Sequence, residues 1–375
     1  MNPVYIIGVG QTRFLRHKPD TEPALARKAI EMALLDAGME WGDVQDVIWA
    51  TIRGTSSAAE TLVPGGVDVP LTRISGTGTG GVRGSMSLHR ALKRIVSGEV
   101  EVAAAVASGK AADSDGPVVA AEAGGDAGGS ERWSAEADAA RRHIGKFHTT
   151  PEHLAKIASK NRHHGSMNPR ACHQEPISIQ GVLQDEVMIS PLTRAMCATP
   201  SDGAAAVIAC SGRVVRKLGR PSPVRVLASV LEEKGVPGGA WDDLVSRTCR
   251  MAYETAGLGP ADIDIAELDD VSAYTELRLT EISGLCAEGT GGPFAWGGST
   301  TLGGKVPVNT SGGLEARGNG GSASGLAQVH EIVTQLRGDA AGRQASGVRI
   351  GLALSCSPVS ARNGSAAGIH IFQRA

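Results

Sequence analysis

A chain of 375 residues suffices for one large domain or two medium ones, and its 41% apolar and 20% charged residues are the balance expected of a soluble globular protein. A formal net charge of -2 excludes a broad basic surface for nucleic acid, and 50 glycines with only 3% aromatics suit tight turns and close backbone packing more than an aromatic ligand platform. The six cysteines (Cys172, Cys197, Cys210, Cys249, Cys286 and Cys356) contain no C-x-x-C pair, which argues against a zinc ribbon in this chain and for buried free thiols in a reducing compartment. The opening apolar run is too short for a signal peptide and no stretch approaches a bilayer span, so a cytoplasmic location is expected.

In chain order, Val4 to Val9 reads as a buried strand, Ala24 to Ala37 as a helix closed by Gly38, and Val44 to Ala50 as a second strand. Gly84 to Ser97 is a helix after a Gly-rich turn and Val100 to Ala107 a strand. Asp113 to Ser130 reads as a mobile loop rich in Gly, Ala and Asp, and Pro151 to His164 as a polar helix. The order then recurs: strand Val224 to Val230, helix Trp241 to Ala256 stopped by Gly257, strand Ile263 to Leu268, helix Ser322 to Arg337 after a second Gly-rich turn, and strand Val348 to Ser355. Around the first helix end the segments align without gaps, Ala33, Ala37, Gly38, Asp43 and Val44 matching Ala252, Ala256, Gly257, Asp262 and Ile263. Five matches at one offset inside the same element order favour an internal duplication. The alternation predicts an α/β fold of mostly parallel sheets, two halves stacked as helix, sheet, helix, sheet, helix. The first half is expected over 1–215, with an insertion at about 110–200 that suits a lid or substrate loop, and the second over 216–375.

Several ordered motifs resemble the thiolase superfamily, in particular its sterol-carrier and lipid-transfer branch. They are Gly8-Val-Gly-Gln-Thr-Arg-Phe14, Asp36 to Gly38, Ser201-Asp-Gly-Ala-Ala-Ala206, Gly284-Leu-Cys286 followed by Gly289, and Asn309-Thr-Ser-Gly-Gly313. The resemblance spans nearly the whole chain and implies the thiolase fold, with five layers (αβαβα). It implies a nucleophilic cysteine at the N-terminus of the first half's buried helix, where the helix dipole favours a thiolate. Counting back from Ser97-Gly98 puts that position at Gly81, and no cysteine lies between Met1 and His164. Thr79 and Ser85 are nearby hydroxyls, read as turn or cap residues. The segment for the family's catalytic histidine is Gly318-Asn319-Gly320, and the oxyanion segment is Asp269-Asp270-Val271-Ser272. Cys356 stands near the late family cysteine, with an apparent insertion through Arg362.

These changes argue against ordinary thiolysis, since glycine offers no atom for an acyl-enzyme. Tyr274, Asp269, Asn319 and Cys356 are the candidate catalytic residues; Gly81, Ser272, Asn309, Ser311 and Gly313 are the candidate substrate-binding residues. The resemblance implies three functions. One is a retro-aldolase on β-hydroxyacyl-CoA thioesters, working with a small OB-fold/zinc-ribbon protein. The second is a subunit without chemistry that pairs with a cysteine-bearing thiolase. The third is a non-catalytic acyl-CoA binder. A dimer through the first halves is expected, as a homodimer or with a thiolase paralogue. No metal or cofactor is expected on this chain; coenzyme A enters as part of the substrate, its phosphates meeting Arg162, His163, His164 or Arg170. Gly76 to Gly84 only superficially resembles a dinucleotide fingerprint, and neither nucleic acid nor membrane is an expected partner.

Overall fold

The computed structural model describes residues 3–51, 62–74, 81–111, 128–218, 222–234, 241–357 and 365–375. Thr79, Arg362, the turn at 75–80 and most of the loop expected over Asp113 to Ser130 lie outside the described residues.

The first strand, β1 (Val4–Gln11), carries glycine for a packing reason. Helix α1 (Glu22–Ala37) lies directly on it, so a Cβ at Gly8 or Gly10 would sit 2.2 Å from the Ala33 or Ala29 carbonyl oxygen. Thr21 caps the start of α1, and Gly38, at φ 58°, supplies the left-handed turn that ends it. The first half continues with β2 (Asp46–Ala50), β3 (Leu71–Ile74), α2 (Val82–Val96) and β4 (Val102–Gly109). The intervening segment holds α3 (Gly128–Phe147), α4 (Pro151–Ser166), α5 (Ile179–Leu183) and the short hairpin β5 (Val187–Ile189) with β6 (Leu192–Thr193). After it come β7 (Gly203–Ser211) and α6 (Gly212–Leu218).

The second half runs β8 (Val224–Lys234), α7 (Trp241–Ala256), β9 (Ile265–Leu268), α8 (Ala273–Ile282), α9 (Gly291–Trp296), α10 (Gly313–Ala316), α11 (Ala323–Arg337), β10 (Ile350–Cys356) and β11 (Ser365–Arg374). Nine strands hydrogen-bond in the order β3-β2-β4-β7-β1-β8-β11-β10-β9. Read outward from the β1–β8 seam, β1-β7-β4-β2 mirrors β8-β11-β10-β9, so both halves use one connectivity. Helices α2 and α11 pack against each other and against strands of both halves, while α1 covers β1, β7 and β4, and α7 covers β8 and β11. Three apolar clusters follow: one around α2 and α11 between the sheet halves, one under α1 and one under α7. This is the expected five-layer arrangement.

The pairing departs from the mostly parallel expectation. Among the described strands, β2–β3, β2–β4 and β9–β10 are parallel, while β1–β7, β4–β7, β1–β8, β8–β11 and β10–β11 are antiparallel. The cause is one extra strand per half, β7 and β11, which enters the middle of the sheet without a crossover helix. Helix α4 is also less exposed than its composition suggests. It buries Leu154, Ala155, Ile157 and Ala158 together with Lys160, Asn161 and His164. Among the described residues, no helix is long and apolar enough to cross a membrane.

Candidate functional site

Helices α2 and α11 meet at their first turns. The approach requires glycine: a Cβ at Gly84 would lie 2.3 Å from the Ser322 carbonyl oxygen, and one at Gly325 would lie 2.3 Å from that of Gly81. Two helix N-termini therefore face one region, where their aligned peptide dipoles favour negative charge. Gly81 precedes α2 with helical backbone angles (φ -58°, ψ -28°) and brings no side chain. A Cβ built on it would find ordinary contacts only, 3.6 Å from the Gly325 nitrogen, 3.7 Å from Ser324 Cβ and 3.8 Å from Asp269 Oδ2. Position 81 thus tolerates a side chain and points it at Ser324 and Asp269.

Asp269 follows β9 and is almost wholly buried. Its Oδ2 accepts the Cys356 backbone N–H at 3.2 Å, so the end of β10 holds the carboxylate in place. Asn319 lies on the strand-like segment leading to α11, fixed by its own N–H donating to the Thr199 carbonyl and by Ser201 N–H donating to its carbonyl. Its Oδ1 accepts from Gly321 N–H at 2.9 Å and Ser324 Oγ at 3.1 Å. That pair of bonds sets the amide orientation and turns the Nδ2 hydrogens, which have no acceptor among the described residues, the other way. Gly81, Asp269, Asn319 and Cys356 are thus brought together, with Ser324 as the link between Gly81 and Asn319.

Four other expected residues sit behind this group. Asn309 adopts a left-handed backbone (φ 55°); its Oδ1 accepts Leu268 N–H at 2.8 Å and its Nδ2 donates to Glu276 Oε2 at 2.7 Å. Ser311 donates to both oxygens of Glu267, N–H at 3.0 Å and Oγ at 2.6 Å. Gly313, at φ 63°, leaves no room for a Cβ, which would lie 1.9 Å from Asp270 Oδ2. Ser272 caps α8, accepting Thr275 N–H at 3.1 Å while donating to Glu136 at 2.9 Å. All four are buried and hold the turn and helix starts that carry Asp269 and Asn319. Ser85 likewise sits in the core, 2.6 Å from His370 Nε2.

Tyr274 is placed elsewhere. It packs in the cluster formed by α3, α4 and α8, edge-on to His143, and lines a cleft of about 390 Å³ with Arg142, Lys146, Trp241 and Arg278. Burial, with the Asp242 carboxylate next, raises its phenol above the ordinary value, so it holds its proton at neutral pH. His164 is also no phosphate ligand: it is buried between the Asn309 carbonyl (3.0 Å) and Leu302 N–H (3.2 Å), and burial depresses it to about 3.

Sequence reading missed a buried carboxyl network behind the site. Asn161 Nδ2 lies 3.2, 2.8 and 3.1 Å from oxygens of Asp270, Glu276 and Glu315. Asp270 also accepts the N–H groups of Leu314 and Glu315, capping α10. Three carboxyls surround one amide, and Lys160, 2.6 Å from Glu276, is the ammonium bonded among them. Burial first, then neighbouring carboxylates, raises Asp270, lifts Glu315 to about 8 and lifts Glu267, beside Glu331, to about 7. Asp269 and Asp270 are adjacent in sequence, yet one turns to the meeting helix starts and the other is sealed behind them.

The comparisons agree with this architecture. The family model described as thiolase C-terminal domain-like matches residues 242–373. Sterol carrier protein 2 of Oryctolagus cuniculus is 32% identical over 392 residues, covering 93% of this chain and 69% of that protein. Benzoylsuccinyl-CoA thiolase subunit BbsB of Thauera aromatica is 32% identical over 364 residues, covering 91% of each. Among solved structures, the Ltp2-ChsH2(DUF35) aldolase superposes with a TM-score of 0.80 over 99% of this chain and 98% of that one, at 22% identity.

Proposed function

The chain belongs to the thiolase superfamily, in its sterol-carrier and lipid-transfer branch, and from that membership we propose that it breaks or forms carbon–carbon bonds in acyl-CoA thioesters without a covalent acyl-enzyme. The observation that supports the proposal is Gly81, the family's nucleophile position by motif, which brings no side chain to the point where a Cβ would lie 3.7 Å from Ser324 Cβ and 3.8 Å from Asp269 Oδ2.

In the cleavage direction the substrate is a β-hydroxyacyl-CoA thioester. Asp269 takes the β-hydroxyl proton and that oxygen becomes a carbonyl. The Cα–Cβ bond breaks, and its electron pair moves onto the thioester as an enolate. Asn319 Nδ2 and the two helix N-termini stabilise the enolate oxygen. A proton then returns to Cα from Asp269 or from Cys356, giving a shortened acyl-CoA and a free ketone or aldehyde. The buried turn of Asn309, Ser311 and Gly313 holds these groups, as does Ser272. Coenzyme A enters as part of the substrate, with no cofactor or metal on this chain. A dimer through the first halves and a small OB-fold/zinc-ribbon partner belong to this reading; β3 lies at the edge of the sheet, and the structural neighbour is named jointly with ChsH2(DUF35).

The test is to incubate the purified protein, alone and with whatever co-purifies, with a varied panel of β-hydroxyacyl-CoA thioesters. Release of a ketone or aldehyde with a shortened acyl-CoA supports the reading, and no release across the panel rejects it. A second reading, a companion subunit without chemistry, is favoured by the relative BbsB, which is named as a subunit of a thiolase. It predicts co-purification with a cysteine-bearing thiolase chain, and activity that survives Asp269→Asn in this chain.

A further inference from the structure

The residues Lys156, Ser159, Lys160 and His163 fall at spacings of three, four and seven along α4, so they form one stripe of that helix. The stripe runs from the exposed His163 through the half-buried Lys156 and Ser159 to the buried Lys160. It forms a wall of a cleft of about 590 Å³ whose other sides are Pro176 to Ser178 and the Thr301–Leu302 turn. That is large enough for a small-molecule ligand. The lining contains two lysines, two histidines and three hydroxyls, and no carboxylate.

The floor of the cleft is built rather than incidental. The Lys160 side chain is only 2% exposed. Its ammonium donates to Glu276 Oε1 at 2.6 Å and to the Val308 carbonyl at 2.8 Å, which leaves one of its three N–H bonds without an acceptor among the described residues. Lys156, on the same stripe, has no carboxylate partner among the described residues. Hydroxyls complete the wall: Ser159 is held by the Ile177 carbonyl (2.7 Å), and Thr301 by that of Gly298 (2.6 Å). Each hydroxyl oxygen keeps lone pairs for a bound water or a protonated ligand oxygen.

We propose that this cleft is a binding site for a phosphate-bearing ligand, separate from the group around Gly81, with Lys156 at its rim and Lys160 at its floor. A phosphate combines several acceptor oxygens with negative charge, so it makes charge-assisted hydrogen bonds to both ammonium groups, which a neutral ligand makes more weakly and a cationic one opposes. The site abuts the candidate active site structurally: His164 joins Leu302 in its wall to the Asn309 carbonyl, and Lys160 joins it to Glu276. The proposal does not depend on the reaction proposed above.

The experiment is calorimetric titration of the whole chain at low ionic strength, with inorganic pyrophosphate as the first probe and adenosine 3′-phosphate 5′-diphosphate, the nucleotide end of coenzyme A, as the second. Saturable binding of pyrophosphate that weakens about tenfold or more in Lys156→Gln, and not in Lys146→Gln on the other cleft, is the expected result. Competition between the probes assigns the site to the substrate's own nucleotide; binding of pyrophosphate without competition assigns it to a separate phosphate ester. Absence of saturable pyrophosphate binding, or binding that Lys156→Gln leaves unchanged, overturns the proposal. Lys156 is partly exposed, so its replacement leaves the fold intact; a matched thermal unfolding curve verifies this.

Discussion

At the mouth of α2, Gly81 offers backbone alone, and the nearest atoms to a Cβ placed there stand at 3.6 Å or more. At the corresponding mouth of α11, the segment from Asn309 to Ser324 is tied down by side-chain hydrogen bonds to Glu267, Asp270, Glu276 and its own backbone. Among the described residues, position 81 accepts a Cβ at ordinary contact distance, whereas positions 313 and 325 do not. On the reading proposed above, the contrast separates a bare covalent position from a held base and donor. A site that had simply decayed would be expected to loosen on both sides, because buried polar networks are costly to keep when they hold nothing. Here the half that would orient an oxyanion donor and a base is kept rigid, while the half that would supply a covalent arm is bare.

The sharpest way to break the contrast is to add one methyl group to each side. Gly313→Ala drives a Cβ into Asp270 at a left-handed backbone position, and should cost about 3 kcal/mol or more, measured by urea unfolding. Asp269→Asn keeps the shape and the accepted N–H bond of Cys356 but removes the base; turnover should fall roughly 10²–10⁴-fold with little change in unfolding midpoint. Asn319→Ala removes the donor and should lower kcat by about 10²-fold or more, with a smaller effect on KM.

The buried carboxyls predict a pH effect on stability. Glu315 at about 8 and Glu267 at about 7 lie above their ordinary 4.5, so the folded state holds protons that the unfolded chain releases. Their contribution is complete below about pH 4.5 and is lost progressively as pH rises to about 8. The slope is at most about 1.4 kcal/mol per pH unit for each proton. Urea midpoints between pH 6 and 8 should fall, and Glu315→Gln should flatten the fall. The smallest effect belongs to Gly81→Ala, which should shift stability by no more than about 0.5 kcal/mol in either direction, because helical angles and open contacts accept alanine.

The repeat is legible because both halves place Gly at the end of the same helix; Gly257 marks the end of α7 at Ala256, and its period gives the start only approximately. The motif Ser201 to Ala206 marks the entry to β7, but the antiparallel direction of β7 and β11 is not legible, because alternation of strand and helix encodes order and not direction, and an antiparallel strand needs no helix to announce it. At the candidate site, ordered motifs point to Gly81, Asp269, Asn319 and Cys356, which the structure brings close together. Tyr274 lies near the start of α8 and lines the cleft whose Trp241 donates to the Ser357 carbonyl, next to Cys356; its helix spacing gives a face, and only packing against α3 shows what that face lines. The carboxyl network was invisible because Asn161, Asp270, Glu276 and Glu315 come from four separate segments, each of which reads alone as an ordinary solvated stretch.

Whether the carbon–carbon chemistry runs without a covalent intermediate is decided by intact-protein mass spectrometry of the chain, quenched during turnover of a β-hydroxyacyl-CoA. Shortened acyl-CoA and free carbonyl product should accumulate while the protein mass stays unchanged. A protein population heavier by the acyl group, appearing and decaying with turnover, would contradict the non-covalent route.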